Sequence, residues 1–114
     1  MARPTTQHQI EPALRRFAQR LKDEIGASRV LLFGSRARDT AMPGSDYDLI
    51  IVAERFTNTD PAIRGRGLRA IWDDEGGEGP MDLICLSPHE FDQAQHRISL
   101  VAAVVPEAID LLAS

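Results

Sequence analysis

Three short, nearly unbroken apolar runs constrain this chain more than any other feature: Val30-Leu31-Leu32-Phe33, Leu49-Ile50-Ile51-Val52 and Met81 to Leu86. Each is short for a buried helix and bounded by polar or glycine-containing sequence, so each predicts a buried strand. The middle one opens with two acids, which extends the predicted strand over Asp46 to Val52. Helical patterns lie between them. Ile10, Leu14, Phe17, Leu21 and Ile25 recur at three- and four-residue spacing among Arg15, Arg16, Arg20, Lys22 and Asp23, predicting an amphipathic helix that Gly26 caps. The polar stretch from Arg36 to Gly44 predicts a short helical segment closed by the Pro43-Gly44 turn signal. Ile63, Leu68, Ile71 and Trp72 predict a helix over Asp60 to Asp74, although Gly65 and Gly67 each cost it about 1 kcal/mol against alanine.

Gly76-Gly77-Glu78-Gly79-Pro80 predicts a loop, and Ser87-Pro88-His89-Glu90 reads as N-cap, N1 proline and capping-box glutamate of a helix over Pro88 to Gln95. A last helical piece over Ser99 to Val105 should end before Pro106. Ile109 to Leu112 fits either a final strand or a helical turn. The alternation predicts an α/β or α+β fold: a small mixed sheet of three or more strands with helices packed on it.

With 114 residues the expectation is one domain spanning 1–114, its first nine residues frayed because they carry no apolar period. The single cysteine, Cys85, forms no intrachain disulfide and completes no zinc spacing, which points to the reducing cytoplasm and an inert core thiol. The longest mainly apolar run, Ile98 to Val105, is far below the roughly 20 residues of a membrane helix, and no signal-peptide pattern opens the chain. A net charge of -4 argues against general attachment to nucleic acid, so any phosphate contact must be local. Arg36, Arg38, Arg64, Arg66 and Arg69 are the cations for such a contact. For the last three a solvated mixed-charge surface is the favoured reading.

Polar chemistry gathers between Leu31 and Val52. Residues i and i+2 of a strand face the same way, so Asp46 and Asp48 project together with Cα atoms about 6.5–7 Å apart. Two bare carboxylates near 4 Å repel by about 1 kcal/mol in water and about 4 at an effective dielectric of 20. A cation between them is therefore expected, and oxygen-only donors favour Mg²⁺ or Mn²⁺. A lone D-x-D is also common at strand edges. Asp82 is the only acid in the third apolar run and needs a partner. It is either a buried acid paired with an arginine or, if its strand lies beside that of Asp46, the third member of a carboxylate cluster. Gly34 leaves room for a phosphate at the backbone, and Ser35 offers a hydroxyl and an N–H. Trp72 and Tyr47 read as core, Tyr47 because alternation turns it away from the two aspartates, and neither His89 nor His96 is expected to act in catalysis.

The conjunction of a strand, Gly34-Ser35, ten residues, Asp46-x-Asp48 opening a second strand, and Asp82 in a third resembles the DNA polymerase β-type nucleotidyltransferase superfamily. The GSRAR start, the SDYDL strand and the short length resemble its minimal nucleotidyltransferase (MNT) branch, from about Ile10 to the C-terminus. Asp39 stands where many relatives have glycine, and adds a negative charge beside the turn. The resemblance implies that Asp46, Asp48 and Asp82 bind Mg²⁺ or Mn²⁺ and are catalytic, Asp82 also preparing the nucleophile. It further implies that Gly34 and Ser35 hold the phosphates of ATP; Arg36 reads as a clamp on the outgoing phosphates or as a structural ion pair. The implied reaction is attack of an acceptor hydroxyl on the α-phosphate with loss of pyrophosphate.

Because the chain ends at Ser114, the acceptor is expected on a partner. In the MNT branch that partner is a HEPN-type toxin ribonuclease carrying a target tyrosine, and the protein an antitoxin in a hetero-oligomer. The alternative is a non-catalytic module that silences the toxin by occlusion. A D-x-D glycosyltransferase would need a longer chain.

Overall fold

The computed structural model describes residues 10–42 and 44–113. The expected frayed start and Pro43 of the turn signal lie outside the described residues. Helix α1 spans Pro12–Ile25, with proline in its first turn, and Gly26 ends it in the left-handed region (φ 71°), its N–H reaching Leu21 O. Strand β1 (Ala27–Phe33) follows, then a four-residue helix α2 (Ser35–Arg38) and strand β2 (Tyr47–Ala53). Two 3₁₀ turns, Glu54–Asn58 and Pro61–Ile63, lead to α3 (Leu68–Asp74). Strand β3 (Met81–Leu86), α4 (Pro88–Gln95), α5 (Leu100–Val104), a 3₁₀ turn Val105–Glu107 and strand β4 (Ile109–Asp110) complete the order.

The sheet order is β3-β2-β1-β4. β1 runs antiparallel to both its neighbours, whereas β2 and β3 are parallel and aligned so that Asp48 faces Asp82. The predicted mixed sheet is thus present with four strands, the ambiguous segment at Ile109 supplying the fourth.

Strand alternation divides the core into two layers. One face carries Val30, Leu32, Tyr47, Leu49 and Ile51 against Leu14, Phe17, Ala18 and Leu21 of α1 and Leu68 and Trp72 of α3. The other carries Leu31, Ile50 and Val52 against Phe91, Ala94 and Val101 of α4 and α5. Covered on both sides, β2 has no polar face to alternate, which is why it reads as a continuous apolar run. Trp72 is fully buried and meets Phe17 and Tyr47 edge-on, with ring centroids 5.7 and 5.3 Å away. Both aromatic residues expected in the core are there.

The predicted helix over Asp60 to Asp74 is interrupted. Its apolar spacing survives in α3, but Gly67 takes φ 82° as the N-cap, so the helix begins at Leu68 after two separate turns. Nor is Arg64 part of a solvated surface. Its side chain is 6% exposed and donates to Thr59 O, Cys85 O and both carboxylate oxygens of Glu90. Glu90 closes the predicted capping box with Ser87, so one carboxylate caps α4 and neutralises a buried guanidinium. These contacts hold the Glu90 carboxyl down at about 2.

A carboxylate held below its unfolded value stabilises the fold above pH ~4 and loses that contribution as the pH falls towards 2. Glu90→Gln should therefore lower stability at pH 7 by about 1–2 kcal/mol in urea unfolding, a modest figure because the glutamate side chain is 41% exposed. The difference from wild type should vanish near pH 2.

Candidate active site

The site is built where β1 ends and β2 and β3 begin. At that end the chain leaves β1 through Gly34, whose φ of 76° and ψ of -156° lie in a region that essentially only glycine occupies. A Cβ at this position would also collide with Asp48 Oδ2. Two independent constraints therefore select glycine here, and the second shows that the backbone turn and the Asp48 carboxylate are in direct apposition.

Ser35 opens α2 immediately after this turn, and its carbonyl accepts the N–H groups of Asp39 and Thr40, which fold the next segment back. Asp39 closes α2 in the left-handed region at φ 61°, the only described non-glycine residue with positive φ. That conformation explains physically why a glycine suits the position, and aspartate is among the few residues that tolerate it.

Asp48 projects on the α4 and α5 face of β2, the face of Ile50 and Val52. Parallel register sets Asp82 of β3 beside it on the same face. Asp46 precedes β2 by one residue; its backbone is held by its neighbours, Ser45 accepting from Arg36 and Tyr47 N–H donating to Pro80 O at 3.0 Å. The three acids act on one another. Burial first, then the charges of Asp82 and Asp46, push the Asp48 carboxyl above its usual range. Asp46 and Asp82 are exposed and Asp48 is half-buried.

None of the three carboxylates enters an ion pair among the described residues. Nor do any three acidic, imidazole or thiol groups among the described residues come together closely enough to hold a metal ion as they stand. The donor set is nevertheless of the kind a hard divalent cation takes: carboxylate oxygens that, among the described residues, have no ion-pair partner. The residues fit Mg²⁺ or Mn²⁺ chemically.

Arg36 is not brought to these carboxylates. Its guanidinium stacks on Tyr47, 4.3 Å from the ring centroid, and Nη2 donates to Ser45 O at 2.9 Å. Because Tyr47 is buried on the α1 side of the sheet, Arg36 lies across β2 from Asp48. Arg38 pairs with Glu107 at 3.7 Å. Both histidines are exposed, His96 against Asp92. Burial pushes the Cys85 thiol up to about 11, so it stays protonated and unreactive at neutral pH. The Arg36–Tyr47 stack had no signal in the sequence, since the two residues lie on different elements and neither spacing nor charge pattern couples them.

A family model described as a nucleotidyltransferase domain matches residues 14–107, a span that includes Gly34, Ser35, Asp46, Asp48 and Asp82. No curated protein matches the sequence. Among solved structures, BolA1 from Arabidopsis thaliana is similar with a TM-score of 0.54 and 19% identity, covering 71% of this chain and 98% of its own. A Sulfolobus solfataricus protein described as a candidate nucleotidyltransferase is similar with a TM-score of 0.51 and 20% identity, covering 96% and 87%. At such identities the likeness is one of fold, and function rests on the site.

A carboxyl pushed above its unfolded value is disfavoured in its ionised form, so the fold loses stability as the pH rises through that range. Asp48→Asn should accordingly melt above wild type at pH 7, with the difference disappearing below pH ~4. Millimolar Mg²⁺ should raise the melting temperature of the wild type and leave that of Asp48→Asn unchanged.

Proposed function

Since the chain belongs to the nucleotidyltransferase domain family, whose members carry out nucleotidyl transfer, we propose that it moves AMP from ATP to a hydroxyl on a partner protein, with Asp46, Asp48 and Asp82 as the reacting centre. The observation that carries this reading is the parallel register that sets Asp82 beside Asp48 on the face apposed to Gly34. One turn and two strands thus bring Gly34, Ser35 and the carboxylates to a single sheet end.

In this mechanism the acceptor oxygen attacks the α-phosphorus of ATP, the bond to the bridging oxygen of the β-phosphate breaks, and pyrophosphate leaves. Asp46, Asp48 and Asp82 would hold Mg²⁺ or Mn²⁺, which supplies charge neutralisation for the phosphates. Asp82, exposed on the edge strand, takes the proton of the incoming hydroxyl. Gly34 keeps the turn free of a side chain, and the Ser35 hydroxyl and N–H donate to the outer phosphates. Exposure of Asp46 and Asp82 supports an acceptor carried by a macromolecule, since a hydroxyl on a protein surface can reach an uncovered carboxylate.

We take that macromolecule to be a HEPN-type toxin ribonuclease, with a tyrosine as acceptor and this chain as its antitoxin. This follows from the resemblance of the GSRAR and SDYDL segments to the MNT branch.

The test is transfer of α-labelled ATP to the purified partner in Mg²⁺. Wild type should label it, and Asp46→Asn or Asp48→Asn should reduce the rate by about 10³-fold, roughly 4 kcal/mol of barrier, with unchanged partner binding. Neutralisation of the toxin without label would instead identify a module that acts by occlusion.

A further inference from the structure

Asp46 lies outside the sheet, and something other than strand pairing must orient it. The peptide that leads into it is the Ser45–Asp46 bond, and its carbonyl accepts Arg36 Nη2 at 2.9 Å. The peptide that leads out is fixed by Tyr47 N–H on Pro80 O at 3.0 Å. The loop before it is closed by Ser45 N on Met42 O and by Met42 N on Ser45 Oγ, both 3.0 Å. Of these restraints only Arg36 comes from α2, one residue after Ser35.

The guanidinium is itself held. It lies over the ring of Tyr47, which is buried and packs edge-on against Trp72. This placement leaves Arg36 Nε buried and without a hydrogen-bond partner. A buried unpaired donor is unfavourable, so the arrangement is sustained by the stack and the carbonyl contact together. Lysine could supply the charge but neither the flat face nor the fork that reaches Ser45 while stacked.

On the reading of this site as a nucleotidyltransferase centre, we propose that Arg36 is a positioning residue: it ties the Gly34-Ser35 turn to the Ser45–Asp46 peptide and so presents the Asp46 carboxylate beside Asp48. It acts through Asp46 and not by touching phosphate. This differs from the role in phosphate binding that the sequence alone suggested. The two roles make opposite predictions about Arg36→Lys, because a phosphate contact survives on charge and a planar anchor does not.

The test compares the full-length chain with Arg36→Lys and Arg36→Ala in three measurements. Mn²⁺ binding without nucleotide, followed by electron paramagnetic resonance, should weaken by about 10- to 100-fold in both variants, the usual effect of removing a group that orients a ligand. ATP binding in EDTA should stay within about twofold of wild type. Amide exchange at Ser45, Asp46 and Tyr47 should accelerate, while the core amides of β1 and β2 keep their protection. Unchanged Mn²⁺ affinity with weakened ATP binding, or full retention by Arg36→Lys alone, would overturn the proposal in favour of a phosphate contact. Unaltered exchange at the three amides would overturn it as well. A wild-type chain that binds neither Mn²⁺ nor ATP contradicts the nucleotidyltransferase reading instead, and the exchange data still decide whether Arg36 anchors the loop.

Discussion

Parallel pairing of β2 with β3 in the register that sets Asp48 beside Asp82 is the constraint on which the rest of the site depends. It is electrostatically unfavourable: the charge of Asp82 acts on Asp48, and two like charges about 4 Å apart would repel by about 1 kcal/mol in water and about 4 at an effective dielectric of 20. Packing overrides it. Leu49, Ile50, Ile51 and Val52 are essentially inaccessible to solvent, and each such side chain contributes about 1.5–3 kcal/mol on burial. A slip of one residue would turn Asp48 into the α1 layer and bring Leu49 out of it, so the apolar run dictates where the acids stand. The charge cluster is a consequence of the core, and it persists because the core outweighs it.

Gly34 completes that arrangement from the side of β1. The antiparallel register brings Phe33 opposite Asp48, so the next residue turns directly over the carboxylate. Only a residue without Cβ can make the turn and leave room for Oδ2. Asp39 shows the same economy a few residues later, where a left-handed position is filled by one of the few residues other than glycine able to adopt it. Between these two sharp bends α2 is a single turn, from which the Arg36 side chain reaches Tyr47.

Much of this was legible in the sequence because the informative patterns are local. Heptad-like spacing marked α1, the capping box marked α4, and continuous apolar runs marked the three long strands, each a pattern set by a period of 3.6 or by burial on both faces. Alternation alone turned Tyr47 into the core. What stayed hidden was tertiary. Gly65 and Gly67 weakened a helix that the fold then interrupted, since Arg64 was needed inward on Glu90, twenty-six residues away. The short strand at Ile109 exists because it borders β1, and two residues carry no period. The stack of Arg36 on Tyr47 joins two elements that no local pattern couples. Register between β2 and β3 was the remaining unknown, and it decides whether Asp82 is an isolated acid or a neighbour of Asp48.

The central claim is that Asp48 and Asp82, with Asp46, form one divalent-cation centre against the Gly34 turn. Paramagnetic broadening measures this without any partner or acceptor. Substoichiometric Mn²⁺ added to the ¹⁵N-labelled chain should first erase the amide signals of Gly34, Ser35, residues 46–49 and residues 81–83, and Asp48→Asn should abolish the effect. Broadening centred instead on the exposed acids Asp73 and Asp74, or spread evenly over the surface, would contradict it.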